Sequence, residues 1–247
     1  MYFFRVIEGN AVNMEFSTIL VQAFNLITSG DPALLEIIAL SLKVTISAVA
    51  VACLIGLPLG AVVGAFTFPG RSLVTIILNA LMGLPPVVVG LTVYLMLSAA
   101  GPLGWLALLY TPAAMVMAQV ILVTPIVAAL TRQVIEDLHS EYAEQFASLD
   151  VQPLDRVTAL LWDARYSLLT VALAGFGRAV AEVGAVIIVG GNINHGTRVM
   201  TTTIALGTSK GNLQLALALG MVLLAIVIAV NAAVMSLRAS AARSAFV

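Results

Sequence analysis

The stretch Arg132–Arg165, RQVIEDLHSEYAEQFASLDVQPLDRVTALLWDAR, is the long polar passage of a chain that is otherwise almost continuously apolar. On both sides the sequence runs through segments of about 20 or more apolar residues, the length a helix needs to cross a bilayer. A polar passage of this length has no place in hydrocarbon. Yet apolar residues recur in it at helical intervals: Val134, Ile135, Leu138, Tyr142, Phe146 and Leu149, then Val157, Leu160 and Leu161. Pro153 divides the two runs and starts or bends a helix there. The pattern predicts two short amphipathic helices on a membrane surface. They are either a solvated connection between spans or a docking surface for a partner protein.

Composition places the rest of the chain. Of 247 residues, 61% are hydrophobic and 9% charged, and the mean hydropathy is +1.10. Soluble domains carry about 25% charged residues, so this chain belongs in a membrane. A net charge of −1 argues against a nucleic-acid partner. Cys53 stands alone in an apolar run, which excludes a disulfide framework or a thiolate metal site within the chain. His139 and His195 lie far apart and outside any metal-ligand spacing, so no metal or other cofactor is expected. His195, with no partner nearby in the sequence, is expected to be solvated. Met1–Ile7 lacks the order of a secretory signal, and Met14 is a candidate start because no recognisable element precedes it.

In chain order, residues 15–29 suit an amphipathic helix lying in the membrane interface, and Gly30-Asp31-Pro32 offers a helix start. A first span follows over 35–66, with Gly56, Pro58, Gly60 and Gly64 in its second half, where small residues admit close helix approach. Lys43 shares a face with Glu36 and is expected to snorkel to the interface. The second span, 73–98, is broken by Gly83-Leu84-Pro85-Pro86, which removes two backbone donors. Irregular backbone at membrane depth survives only against protein or a water-filled cavity, so this is either a structural kink or a gate on a pathway. The third span is expected over 112–130.

The fourth span, 168–190, holds Arg178 and Glu182 at i, i+4, on one face. Counted from Arg165 at ~1.5 Å per residue, Arg178 lies ~20 Å deep and Glu182 ~25 Å. Charges there cost at least ~2.5 kcal/mol each if exposed to lipid, so they must face each other, a neighbouring helix or water. An architectural ion pair and a pair on a substrate path are both open. Residues 191–211 are polar and rich in Gly and Thr, with a short helix possible over 199–206; the last span covers 213–237. Arg71, Arg132, Arg156, Arg165, Arg238 and Arg243 fall in one set of connections; Arg5, Arg198 and Lys210 fall in the other. The richer set is cytoplasmic. The expectation is an all-α polytopic membrane protein of five transmembrane helices, N-terminus outside. It divides into an extracytoplasmic and interfacial segment, 1–33, a membrane domain, 34–238, containing the cytoplasmic passage 132–165, and a cytoplasmic tail, 239–247.

Particular segments resemble a known family. Glu141–Arg165 is similar to the cytoplasmic EAA loop of binding-protein-dependent ABC importer permeases of the type I fold, with Glu144 in the place of the motif glutamate. The family's glycine falls on Asp150, which tolerates turn conformations, and Gln145-Phe146 replace two alanines. LxLKVxxxA in span one, GLPPVVVGL in span two, GPLGxLxLLYTP outside and GRAVAEVGAVIIVGGNI in span four resemble the molybdate, sulfate and tungstate branch. TRVMTTTIALGTSKGNLQLALALG and Trp162 of LLWDAR look most like the tungstate type.

The resemblance implies an inner-membrane permease working as a homodimer. Two ABC ATPase subunits would dock on coupling helices through Glu141, Tyr142, Ala143, Glu144, Ala147, Leu149, Asp150, Pro153 and Leu154. An extracytoplasmic oxyanion-binding protein would deliver the substrate. Pro85, Pro86, Arg178, Glu182, Gly184, Arg198, Thr201, Thr202 and Thr203 are the candidates for the path and its gate. Arg178 is expected to neutralise Glu182, leaving Arg198 and the Thr201–Thr203 hydroxyls to meet the anion outside.

The chain contains no GxxxxGK[ST] phosphate loop, so ATP hydrolysis by that route must come from a separate subunit. Molybdate or sulfate transport by the same fold is the alternative. From other classes, a secondary transporter would want proton-cycling carboxylates, of which Glu182 is the one firm candidate, and would leave the polar passage unexplained. A membrane hydrolase would want a clustered His/Glu metal site or a Ser/His dyad, and the spans hold neither.

Overall fold

Helix starts follow from local chemistry. In the computed structural model, which describes residues 17–244 with side chains to Ser236, α1 (Ser17–Thr28) lies ahead of a turn at Gly30, φ +67°. The readings on Arg5, Met14 and the side chains of Arg238 and Arg243 lie outside those described residues. Asp31 Oδ1 accepts from the backbone N–H of Ala33 at 2.7 Å and of Leu34 at 3.2 Å, and Pro32 opens α2 (Pro32–Ala65), where its missing N–H costs nothing. Thr111 and Pro112 repeat this pairing at the start of α5 (Pro112–Ser148).

Between them run α3 (Arg71–Met82) and α4 (Pro86–Leu97), bent by 97° at the Gly83–Pro85 break. After α5 come α6 (Pro153–Asp163) and α7 (Arg165–Val180), bent by 73°, then α8 (Gly184–Gly190), α9 (Met200–Ser209) and α10 (Leu213–Ser244). Among the described residues, three helices are long and apolar enough to cross a membrane, or up to five spans if each bent pair is one, in line with the five expected from the sequence. No strand occurs among the described residues.

One expectation is corrected. The first half of the polar passage is not a separate surface helix: α5 continues unbroken through Arg132 to Ser148. The hydropathy ends near Leu130, but neither Gly nor Pro occurs from Ile126 to Leu149, so the backbone has no reason to stop. At ~1.5 Å per residue, α5 projects ~25 Å beyond the hydrocarbon. There Ile135, Leu138, Tyr142 and Phe146 pack against Val157, Leu160 and Leu161 of α6 to close a helical hairpin.

α5 is also the spine inside the membrane. Gly56, Gly60 and Gly64 of α2 form a seam against it, because a Cβ at Gly60 would lie 2.4 Å from the Ala128 carbonyl oxygen and 2.7 Å from Thr131 Cβ. The outer part of the core joins Val89, Val93 and Leu97 of α4 to Met115 and Leu122 of α5 and Val186 and Val189 of α8. The inner part joins Ala52 and Ala61 of α2 to Val123, Val127 and Ile135 of α5 and Leu168 and Val171 of α7. α1 rests on the start of α2 and α10 through Ala23, Leu34, Ile37 and Leu219. Outward-facing Leu54, Ile76 and Leu224 stay exposed, as a lipid-facing surface requires. Trp105 and Trp162 are exposed in the outer and inner connections, where aromatic residues mark the two interfaces.

Candidate translocation and coupling sites

Span four breaks where its charges stand. α7 ends at Val180 and α8 begins at Gly184, leaving Glu182 in the gap and 2% exposed. Glu182 Oε2 accepts from Arg178 Nη1 at 2.5 Å, and Oε1 accepts from the Ala185 N–H at 3.0 Å. One carboxylate therefore balances the arginine and holds the first turn of α8. Hydrocarbon requires the freed carbonyls to find donors as well. Gln119 Nε2 of α5 donates to Ala179 O at 3.1 Å, and Thr201 Oγ1 of α9 donates to Glu182 O at 2.8 Å. Ser41 Oγ of α2 accepts from Met200 N–H at 2.7 Å and anchors the start of α9 beside them. Ser41, Thr45, Gln119, Glu182 and Thr201 line a cavity of about 10 Å³, room for about one water. Gln119 Oε1 is buried without a protein partner.

The break in span two lies alongside. Pro85 is extended and Pro86 occupies the first position of α4, so the two prolines restart a helix rather than bend a continuous one. A Cβ on Gly184 would lie 3.0 Å from Val87 Cγ2, and one on Gly90 would lie 2.7 Å from Ala185 Cα. The α4–α8 crossing thus sets both discontinuities side by side, bringing Val87, just after Pro86, against Gly184, beside Glu182. Gly83, Pro85, Val87 and Val88 remain exposed on the protomer.

The threonine run is placed differently from its expectation as a set of free donors. Thr202 and Thr203 are buried, with Thr202 Oγ1 bonded to Asn192 Oδ1 at 3.0 Å and Thr203 Oγ1 donating to Val199 O at 2.7 Å. Thr201 is half-buried and spends its proton on Glu182 O. Arg198 sits apart on the outer loop, donating to Asn194 Oδ1 at 3.0 Å. His195 is exposed, as expected, but it has a partner that its sequence neighbours do not show. Its Nδ1 lies 2.7 Å from Glu36 Oε2, so this exposed histidine ties the outer loop to the start of α2, and Glu36 is engaged there rather than with Lys43.

At the cytoplasmic end, Glu141, Ala143, Glu144, Ala147, Leu149, Asp150, Pro153 and Leu154 are all exposed around the hairpin tip. Leu149 is 74% exposed and Leu154 78%, a large apolar presentation for residues outside the bilayer. Asp150 has φ +50°, the left-handed conformation that glycine adopts most freely. Tyr142 turns inward, its hydroxyl donating to Asp163 Oδ2 at 2.6 Å while its ring meets Phe146 edge-on. Tyr142 thus braces the hairpin.

Sequence reasoning missed Gln119 and Glu136. A lone amide in an apolar span was the available signal for Gln119. Glu136, in the polar passage, carried none; it accepts from both Arg71 and Arg132.

Paired broken helices in a polytopic helical membrane protein, with an exposed apolar tip on one side, are the architecture of a transporter's membrane subunit. Residues 56–243 match the family described as binding-protein-dependent transport system inner membrane component, and the chain belongs to that family, with the type I ABC permease fold. It is 41% identical over 216 residues to the tungstate uptake system permease protein TupB of Peptoclostridium acidaminophilum, covering 87% of this chain and 95% of the relative. Identity to a probable anion ABC transporter permease protein of Haloferax volcanii is also 41%, over 81% of this chain and 88% of that one. The sulfate transport system permease protein CysW of Escherichia coli K12 is 32% identical over 72% of this chain and 66% of its own length.

Proposed function

We propose that the chain is the translocating subunit of an ATP-driven oxyanion importer, with tungstate as its substrate. The observation that carries the coupling part is the α5–α6 hairpin, which presents Leu149 and Leu154 to water at the end of a ~25 Å projection. A water-exposed apolar tip flanked by Glu141, Glu144 and Asp150 suits insertion into a partner cleft. In this reading an ABC ATPase subunit docks there, one per copy of a homodimer, and ATP is hydrolysed outside this chain. Two copies face each other across the exposed Gly83–Val88 segments, so that Pro85 and Pro86 border the path. An extracytoplasmic binding protein delivers the anion to the side of Arg198.

Arg178 and Glu182 hold the break of span four in shape. Gly184 lets α8 approach α4. Thr202 and Thr203 are internal fasteners of the outer loop. The substrate assignment is supported by the tungstate relative; the more distant sulfate relative supports sulfate as the second reading.

The test is reconstitution of the permease with its ATPase and binding protein, measuring uptake of tungstate, molybdate and sulfate. Tungstate-dependent uptake that requires ATP, and is lost in Glu144→Arg, is expected. Uptake without the ATPase would sink the reading, and a preference for sulfate would replace the substrate.

A further inference from the structure

We propose that Glu136 is the positioning residue that passes movement of the α5–α6 hairpin to the broken span, and this rests on the docking reading above. Arg71, the first residue of α3, uses all of its reach. Its Nε donates to Val63 O at 2.8 Å, closing the end of α2, and its Nη2 donates to Glu136 Oε1 at 2.9 Å on the cytoplasmic projection of α5. The second oxygen of Glu136 takes Arg132 Nη1. Glu136 therefore sits between two guanidinium groups, and the charge-assisted bonds fix it in direction as well as distance. Beyond this tie, α3 runs along α5. It buries one side chain, Leu78, against Ala128 and Ala129.

α3 leads directly from Arg71 to the Gly83–Pro85 break, 12 residues or ~18 Å away. A helix that is pinned at its base and buries one side chain along its length follows the base. Displacement of the hairpin by a docked ATPase thus acts on Arg71 through Glu136 and shifts the break at the far end of α3. No residue in this tie touches the substrate; it acts by position alone.

The experiment uses the complete transporter in proteoliposomes, with Cys53→Ala and Val87→Cys as the labelling background. Thiol labelling at position 87 is followed with and without nucleotide, alongside uptake per ATP hydrolysed. In the background protein, labelling is expected to change with nucleotide. In Glu136→Gln, the ATPase still co-purifies and hydrolyses ATP, the nucleotide response at position 87 is lost, and uptake per ATP falls about tenfold or more. Glu136→Asp, which keeps the charge but shortens its reach, gives an intermediate ratio. A merely structural role would lower the amount of assembled complex and leave uptake per ATP unchanged, which overturns the proposal. It is also overturned if Glu136→Gln keeps the full nucleotide response, or if neither variant assembles. A background protein that takes up anion without the ATPase overturns the docking reading instead.

Discussion

Arg178 and Glu182 differ in exposure, 28% against 2% for their side chains, and that difference sets what each substitution does. Removing Arg178 strands a buried carboxylate, a change that costs about 3 kcal/mol or more. Glu182→Gln keeps an oxygen for the Ala185 N–H and leaves the arginine partly open, so a loss of about 1 kcal/mol is expected. Thermal midpoints of the detergent-solubilised variants check the order: Arg178→Gln lowest, Arg178→Gln/Glu182→Gln between it and Glu182→Gln. Equal losses in the two single variants would remove the asymmetry. The pair was legible because i, i+4 charges inside an apolar run leave few other arrangements. The Glu36–His195 tie was not, since its partners lie 159 residues apart and neither carries a local mark of the other. The threonines of 201–203 show the same limit. Their residue types announced hydroxyl donors, but whether a hydroxyl points outward or caps a neighbouring carbonyl depends on the packing of α9 against α10 and α2.

Helix by helix, packing seams and breaks decide more than propensity. The α2–α5 seam tolerates no side chain at Gly60, because what a Cβ meets there is backbone. Gly60→Ala is expected to lower stability by about 1–3 kcal/mol. Gly177→Ala, with open space around it, is expected to be neutral or to gain up to about 1 kcal/mol from the helix preference. Denaturation of the two variants side by side checks this, and comparable losses would mean the seam is looser than its geometry.

The cytoplasmic hairpin carries a pH dependence. Burial, and the nearby Arg156 and Arg71 charges, push His139 below its ordinary value of about 6.5. A histidine whose folded value is depressed favours the fold when neutral, so its contribution is complete above pH ~6.5 and is lost as pH falls toward the folded value. Protection factors of the amides across 139–161, corrected for the slower base-catalysed exchange at the lower pH, should therefore fall on going from pH 7.5 to 5.5, and His139→Asn should flatten that change; an equal slope in both would discard it. The sequence showed this hairpin's apolar rows but not its join to span three. Hydropathy records where lipid ends, while a helix ends only where backbone chemistry stops it.

Among the described residues the molecule reads as up to five spans, two of them broken, and the breaks meet. The number of span candidates was legible because the apolar runs are long, and the arginines predict the sidedness. Cysteine replacing Trp105 should label only from outside, and cysteine replacing Leu154 only from inside, in intact cells on the Cys53→Ala background; the reverse pattern would invert the topology. The meeting of Gly83–Pro85 with Ala181–Val183 was not legible, since it depends on the Gly90–Ala185 crossing between distant segments.

The seam of α2 and α5 has a mechanical consequence. Its tightest point, Gly60 between Ala128 and Thr131, falls at the midpoint of a helix running from Pro112 to Ser148. α5 is then a balance beam on a central fulcrum, with arms of ~27 Å on either side at ~1.5 Å per residue. A beam with equal arms neither amplifies nor diminishes travel: a tilt of about 5° carries both tips ~2.4 Å, in opposite directions. A push on the water-side tip would reappear, as ~2 Å of travel, where Met115 lies under Gly190, beneath the loop that faces the outside.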